Sequence, residues 1–219
     1  MCSCEKLYGA CLFRIYLGTA AGGIILERKQ MLKLTQTALF AAIIIFMTFV
    51  PYVGYIAYGP ASFSITTVQI PVIIGACVLG PLYGGVLGLV WGVTSIFKSM
   101  IIGTIEVAIF TNPLVSVLPR VIVGVFAGWL FIWFCRLIKK PLVSFGIAGV
   151  LGTLTNTVLV LTAANIFDKI NPFDIGVMLK TILNTAISIN GVVEVAACAV
   201  LVPVIGMAVR KAQRRMSKV

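Results

Sequence analysis

Histidine is absent from the 219 residues, and only six side chains carry a carboxylate. The first absence removes the HExxH metalloprotease arrangement and every histidine-based triad. The second leaves Glu106, Asp168, Asp174 and Glu194 as the acids beyond Met31, too few and too dispersed for a two-metal centre or an aspartyl protease pair. No GxxxxGK[ST] loop occurs, so the chain cannot hydrolyse ATP by itself in the Walker manner. Its six cysteines form no CxxC pair, and Cys77, Cys135 and Cys198 lie in apolar runs where they read as small buried residues. No catalytic constellation survives these exclusions, so the chain reads as a non-enzyme without cofactor or metal. Charge itself is scarce at 11%, with a mean hydropathy of +1.12.

What fills the chain instead is apolar sequence, 60% of it, in runs approaching or exceeding the roughly 20 residues that cross a hydrocarbon core. The runs are continuous rather than alternating, which selects helices over a barrel. The expected fold is an all-α integral membrane protein with six transmembrane helices over 34–53, 67–79, 83–102, 114–138, 142–167 and 175–209. The second is short, about 20 Å at 1.5 Å per residue, and contains Pro71. Residues 1–30 differ in character, with Cys-Ser-Cys, scattered charges and an apolar piece too short and glycine-rich to span. They read as a non-native or mis-assigned N-terminal extension ahead of a start at Met31, with the six-helix domain occupying 31–219.

The net charge of +11 is distributed at helix ends, which points to lipid head groups and helix orientation and not to nucleic acid. Alternating six helices puts Lys33, Arg136, Lys139, Lys140, Arg210, Lys211, Arg214, Arg215 and Lys218 on one side of the bilayer. The other side holds Lys98 and Lys169, with Arg120 and Lys180 at helix ends. This asymmetry predicts both termini in the cytoplasm. Gly84, Gly88 and Gly92 recur every fourth residue, as do Gly124 and Gly128, which predicts faces where helix backbones approach closely.

Polar residues inside the spans are functional candidates, because each costs several kcal/mol unless it faces a cavity or a partner. They are Arg120, Asn156, Lys180, Asn184, Asn190 and Glu194. On the sixth helix Lys180, Asn184, Gly191 and Glu194 fall within about 80° of one another, with Asn190 at the edge of the stripe. Counted from the helix ends, Arg120 lies about 9 Å deep, Asn156 about 15 Å deep, and Glu194 near mid-bilayer. Three helices could thus surround one cavity open to the outside. The alternative is structural: Arg120 and Glu194 neutralise each other, and Asn156 and Asn190 bridge helices. The tyrosine-rich loop from Tyr52 through Tyr58 to Pro60 reads either as an interfacial aromatic belt or as a lid with a Gly and Pro hinge.

Four stretches taken in order carry a family resemblance: TTVQIPVIIGA from Thr66, LGPLYGGVLG from Leu79, LPRVIVG from Leu118 and NGVVE from Asn190. Together they resemble the S component, the substrate-binding subunit, of energy-coupling factor (ECF) vitamin transporters. The resemblance covers the chain from about Met31 onward. It implies a multi-pass protein of the bacterial cell membrane that captures one vitamin from outside. It also implies association with a transmembrane coupling subunit and two cytoplasmic ATPases. Ala38 and Ala42 match the family's AxxxA contact with the coupling subunit. The ligand of the family is held by the first outer loop and the outer halves of helices four to six, which makes Tyr58, Gln69, Arg120, Asn156, Lys180, Asn184, Asn190 and Glu194 the expected binding residues. The pattern looks most like pantothenate-type members. S components for folate, pyridoxine or hydroxymethylpyrimidine, riboflavin or cobalamin are the alternatives, with a stand-alone secondary carrier beyond them.

Overall fold

The computed structural model describes residues 28–50, 53–58, 63–102, 113–170 and 191–216. Its elements in chain order are α1 (Arg28–Phe49), β1 (Tyr55–Tyr58), β2 (Phe63–Thr66), α2 (Gln69–Leu79) and α3 (Pro81–Ile102). They continue with α4 (Pro113–Ser116), α5 (Leu118–Ile138), α6 (Pro141–Ile170) and α7 (Gly191–Met216). Among the described residues, five helices are long and apolar enough to cross a membrane: α1, α3, α5, α6 and α7. The fold is helical, as the continuous apolar runs predict, with one short hairpin added. The part of the expected sixth span before Gly191 lies outside the described residues, as do residues 1–27.

The short second helix is the centre of the molecule. All eleven residues of α2 are buried, and α1, α3, α5, α6 and α7 pack around it. Its length of about 16 Å is half of what a bilayer core requires. Pro71 is tolerated because it sits in the first turn, where no intrahelical acceptor awaits its missing N–H. At the other end a single residue, Gly80, reverses the chain into α3 with φ 111°, a value that favours glycine. The amide of Gly80 donates to the Ala76 carbonyl at 3.0 Å, and its own carbonyl accepts from Gly84 at 3.0 Å.

Helix α3 crosses α5 along the glycine face anticipated from the spacing. A Cβ on Gly84 would strike the Gly124 carbonyl, and one on Gly124 would strike the Gly84 carbonyl. Further along the same seam, a Cβ on Gly88 would strike the Arg120 carbonyl, and one on Gly92 would lie 2.7 Å from Val117 Cα. Gly128 continues it at the opposite end, where a Cβ would lie 2.8 Å from Pro81 Cα. In lipid the hydrophobic effect does not drive helices together, so close backbone contact supplies the attraction as dispersion over many atom pairs.

Two departures from expectation have a clear physical cause. The fourth span, expected over 114–138, is divided into α4 and α5 by Pro119, which has no N–H to donate to the Val115 carbonyl. The segment between α1 and α2 contains an antiparallel pair, with Tyr55 opposite Thr66 and Tyr58 opposite Phe63. Its four-residue strands are too short to show a period in sequence.

Candidate substrate site

Buried polar side chains concentrate around the hairpin end of α2. Gln69, the first residue of α2, has 0% exposure and stands between α6 and α7. Its Nε2 donates to Glu194 Oε2 at 3.5 Å and lies 3.7 Å from Cys198 Sγ. Its Oε1 accepts from Asn156 Nδ2 at 3.5 Å. The other carboxylate oxygen of Glu194 accepts from the backbone N–H of Thr66 at 2.6 Å. A single chain of hydrogen bonds thus runs from α6 through α2 to α7 and into the last residue of the hairpin. Asn156 and Glu194 are 8% and 9% exposed, so the three side chains of the chain are withdrawn from the surface, while Thr66 is half-buried.

A second group lies across the hairpin. The hydroxyl of Tyr55, the residue paired with Thr66, accepts from Trp91 Nε1 at 3.2 Å and is 3.0 Å from Ser95 Oγ. Ser95 gives its own proton to the Trp91 carbonyl at 2.8 Å, so the tyrosine donates to the serine. Trp91 is 1% exposed, and the Arg120 guanidinium sits over its ring at 5.4 Å. Lys98 Nζ lies over the Tyr55 ring at 3.1 Å. Cations over aromatic faces are attracted by the ring quadrupole, more strongly where water is excluded. One rung of the hairpin therefore reaches α3 through Tyr55 and α7 through Thr66.

The structure brings Gln69, Asn156 and Glu194 into direct contact and sets Arg120 in the second group. The alternative in which Arg120 neutralises Glu194 is not the arrangement found: Thr66 and Gln69 occupy the carboxylate. Tyr58 lies in β1, opposite Phe63. Lys180, Asn184 and Asn190 lie outside the described residues. Trp91, Ser95 and Lys98, which join this polar group, were not singled out as candidates, and Tyr55 was named only within the tyrosine-rich loop. A tryptophan in an apolar helix carries no local mark of a polar partner, although Lys98 could have been flagged as a charge near the end of its span. Trp129 and Trp133 stack at 5.9 Å on the exposed face of α5, away from Trp91. Ala38 and Ala42 are exposed on α1, whose buried face is formed by Thr37, Phe40, Ile44 and Thr48.

The family model described as "ECF transporter, substrate-specific component" matches residues 32–206. The chain belongs to this family. This S component is 30% identical over 184 residues to the pantothenate transporter PanT of Leuconostoc mesenteroides, covering 79% of this chain and 89% of the relative. It is also 31% identical over 166 residues to the pantothenic acid transporter PanT of Lactococcus lactis, covering 68% and 79% respectively. The family match ends at residue 206, so it takes in both polar groups of this S component, the glycine seam and the two alanines on α1.

Proposed function

We propose that this S component captures pantothenate on the extracellular side and delivers it through an ATP-driven ECF importer. The observation that carries the substrate is the likeness to two proteins named as pantothenate transporters, each over more than two thirds of this chain. The chemistry of the site agrees with it. Pantothenate offers one carboxylate, hydroxyls and an amide, a mixed set that calls for a cation together with neutral and anionic hydrogen-bonding groups. Arg120 supplies a buried cation, and the Asn156–Gln69–Glu194 chain supplies the rest. Lys180, Asn184, Asn190 and Tyr58 complete the proposed contact set.

Energy comes from partner subunits, because the chain has no phosphate-binding loop. Both termini face the cytoplasm in this reading, and the exposed Ala38 and Ala42 meet the coupling subunit. Purified protein should gain about 2.7 kcal/mol of stability at a pantothenate concentration 100 times its Kd, read as a thermal shift. Stabilisation by folate, riboflavin, pyridoxine, hydroxymethylpyrimidine or cobalamin and not by pantothenate would reassign the substrate. Ala38→Trp and Ala42→Trp should abolish uptake in cells while leaving calorimetric pantothenate binding unchanged. Gradient-driven uptake by the chain alone in proteoliposomes would replace the ATP-coupled reading with a secondary carrier.

A further inference from the structure

The hydrogen-bond chain has a direction, and the direction is set at one end. An ionised carboxylate offers only acceptors. Thr66 meets it with a backbone N–H, a donor that no rotation can reverse. The second oxygen also needs a donor, so Gln69 turns its NH2 toward Glu194. The carboxamide of Gln69 is planar, and this orientation points its carbonyl at α6. Asn156 must then present its own NH2 to Gln69. Amide oxygen and nitrogen are nearly the same shape, so packing alone does not choose between the two orientations; the charge at the end of the chain does.

What remains is Asn156 Oδ1. This atom is buried, on a residue more than nine-tenths buried, and has no hydrogen-bond partner among the described residues. A buried acceptor left unmade carries a desolvation penalty that a ligand donor would recover. We infer that Glu194 dictates the polarity of Asn156, so that the site takes a hydroxyl or amide N–H of its ligand at Asn156 Oδ1 and rejects a carbonyl or ether there. At this atom Glu194 is then a positioning residue for specificity, acting through Gln69. The inference rests on the proposal that pantothenate is the substrate, and it names which kind of group on that substrate is read.

The test compares pantothenate with two analogues by calorimetry on the full chain: one with the secondary hydroxyl replaced by a ketone, one methylated on the amide nitrogen. Wild type should bind one of the two at least about tenfold more weakly than pantothenate. In Glu194→Gln the terminal group can donate or accept, Gln69 and Asn156 are free to turn over, and the preference should fall to about threefold or less. Asn156→Ala should erase the same preference, and it serves if Glu194→Gln does not fold. Equal binding of all three compounds by wild type, or a preference unchanged in both variants, would overturn the inference.

A ligand-free arm separates this failure from failure of the substrate proposal. Thr66 amide hydrogen exchange, followed by NMR without ligand, should accelerate about tenfold or more in Glu194→Ala. If pantothenate does not bind but this acceleration is seen, the substrate is wrong and the polarity of the chain stands. If pantothenate binds and the exchange is unaltered, the polarity argument fails.

Discussion

The seam between α3 and α5 and the chain through Gln69 join helices by opposite means. At the seam the contact consists of missing side chains: Gly84 and Gly124 let each other's carbonyls in, and no polar side chain is needed. Around Gln69 the contact consists of side chains that must be present and correctly turned. The first kind of contact tolerates almost no added atom, since interiors transmit a clash instead of absorbing it. The second tolerates isosteric changes of volume and does not tolerate a change of polarity. The seam therefore sets where the helices are, and in the proposed function the polar chain sets what the space between them recognises.

That division can be broken at its strong end first. Gly124→Leu should cost upward of about 3 kcal/mol by driving a branched side chain into the α3 backbone, and the protein should elute as aggregate in detergent. A folded monomer from this variant would show that the seam yields. Arg120→Met comes next, because a thioether side chain can still pack over Trp91. It should leave the elution profile unchanged and weaken pantothenate binding by about 30- to 100-fold, in line with the roughly 2–3 kcal/mol lost when one member of a buried charge pair is removed. If binding survives, the carboxylate is read elsewhere. Tyr55→Phe is the mildest, removing one hydroxyl that bridges Trp91 and Ser95. About 1 kcal/mol, or fivefold, is expected, read as faster ligand dissociation as the hairpin loosens on its α3 side.

The two regions also differ in how far they could be read from sequence. The seam was legible because a period of four in glycine maps directly onto one face of a helix. Arg120, Asn156 and Glu194 were legible singly, as polar groups in apolar runs. Their connections were not. Gln69 lies 125 positions from Glu194 and 87 from Asn156 in the chain, and nothing local in TTVQIP marks it as the residue between them. The hairpin was hidden for a related reason. Four-residue strands carry little intrinsic preference, and this pair is held by long-range contacts of Tyr55 with α3 and of Thr66 with α7. Helix ends were legible where a proline or glycine sits at the turn, as at Gly80-Pro81. They were misplaced at Pro119, the sixth residue of an apolar run that read as one span from 114 to 138.

The one-residue turn at Gly80 has a bearing on how the protein is made. Eleven residues, apolar but for Gln69, form too short a segment to be handed to the bilayer alone, and α2 has no polar face with which to wait at the interface. With Gly80 allowing no slack, α2 can enter lipid only as the trailing arm of a hairpin whose other arm is α3. During synthesis the ribosome emits α2 first, so it must remain sheltered until α3 follows. Lengthening the link at Gly80 would separate those two arrivals, and the exposed Gln69 end would meet hydrocarbon before α6 and α7 exist to receive it.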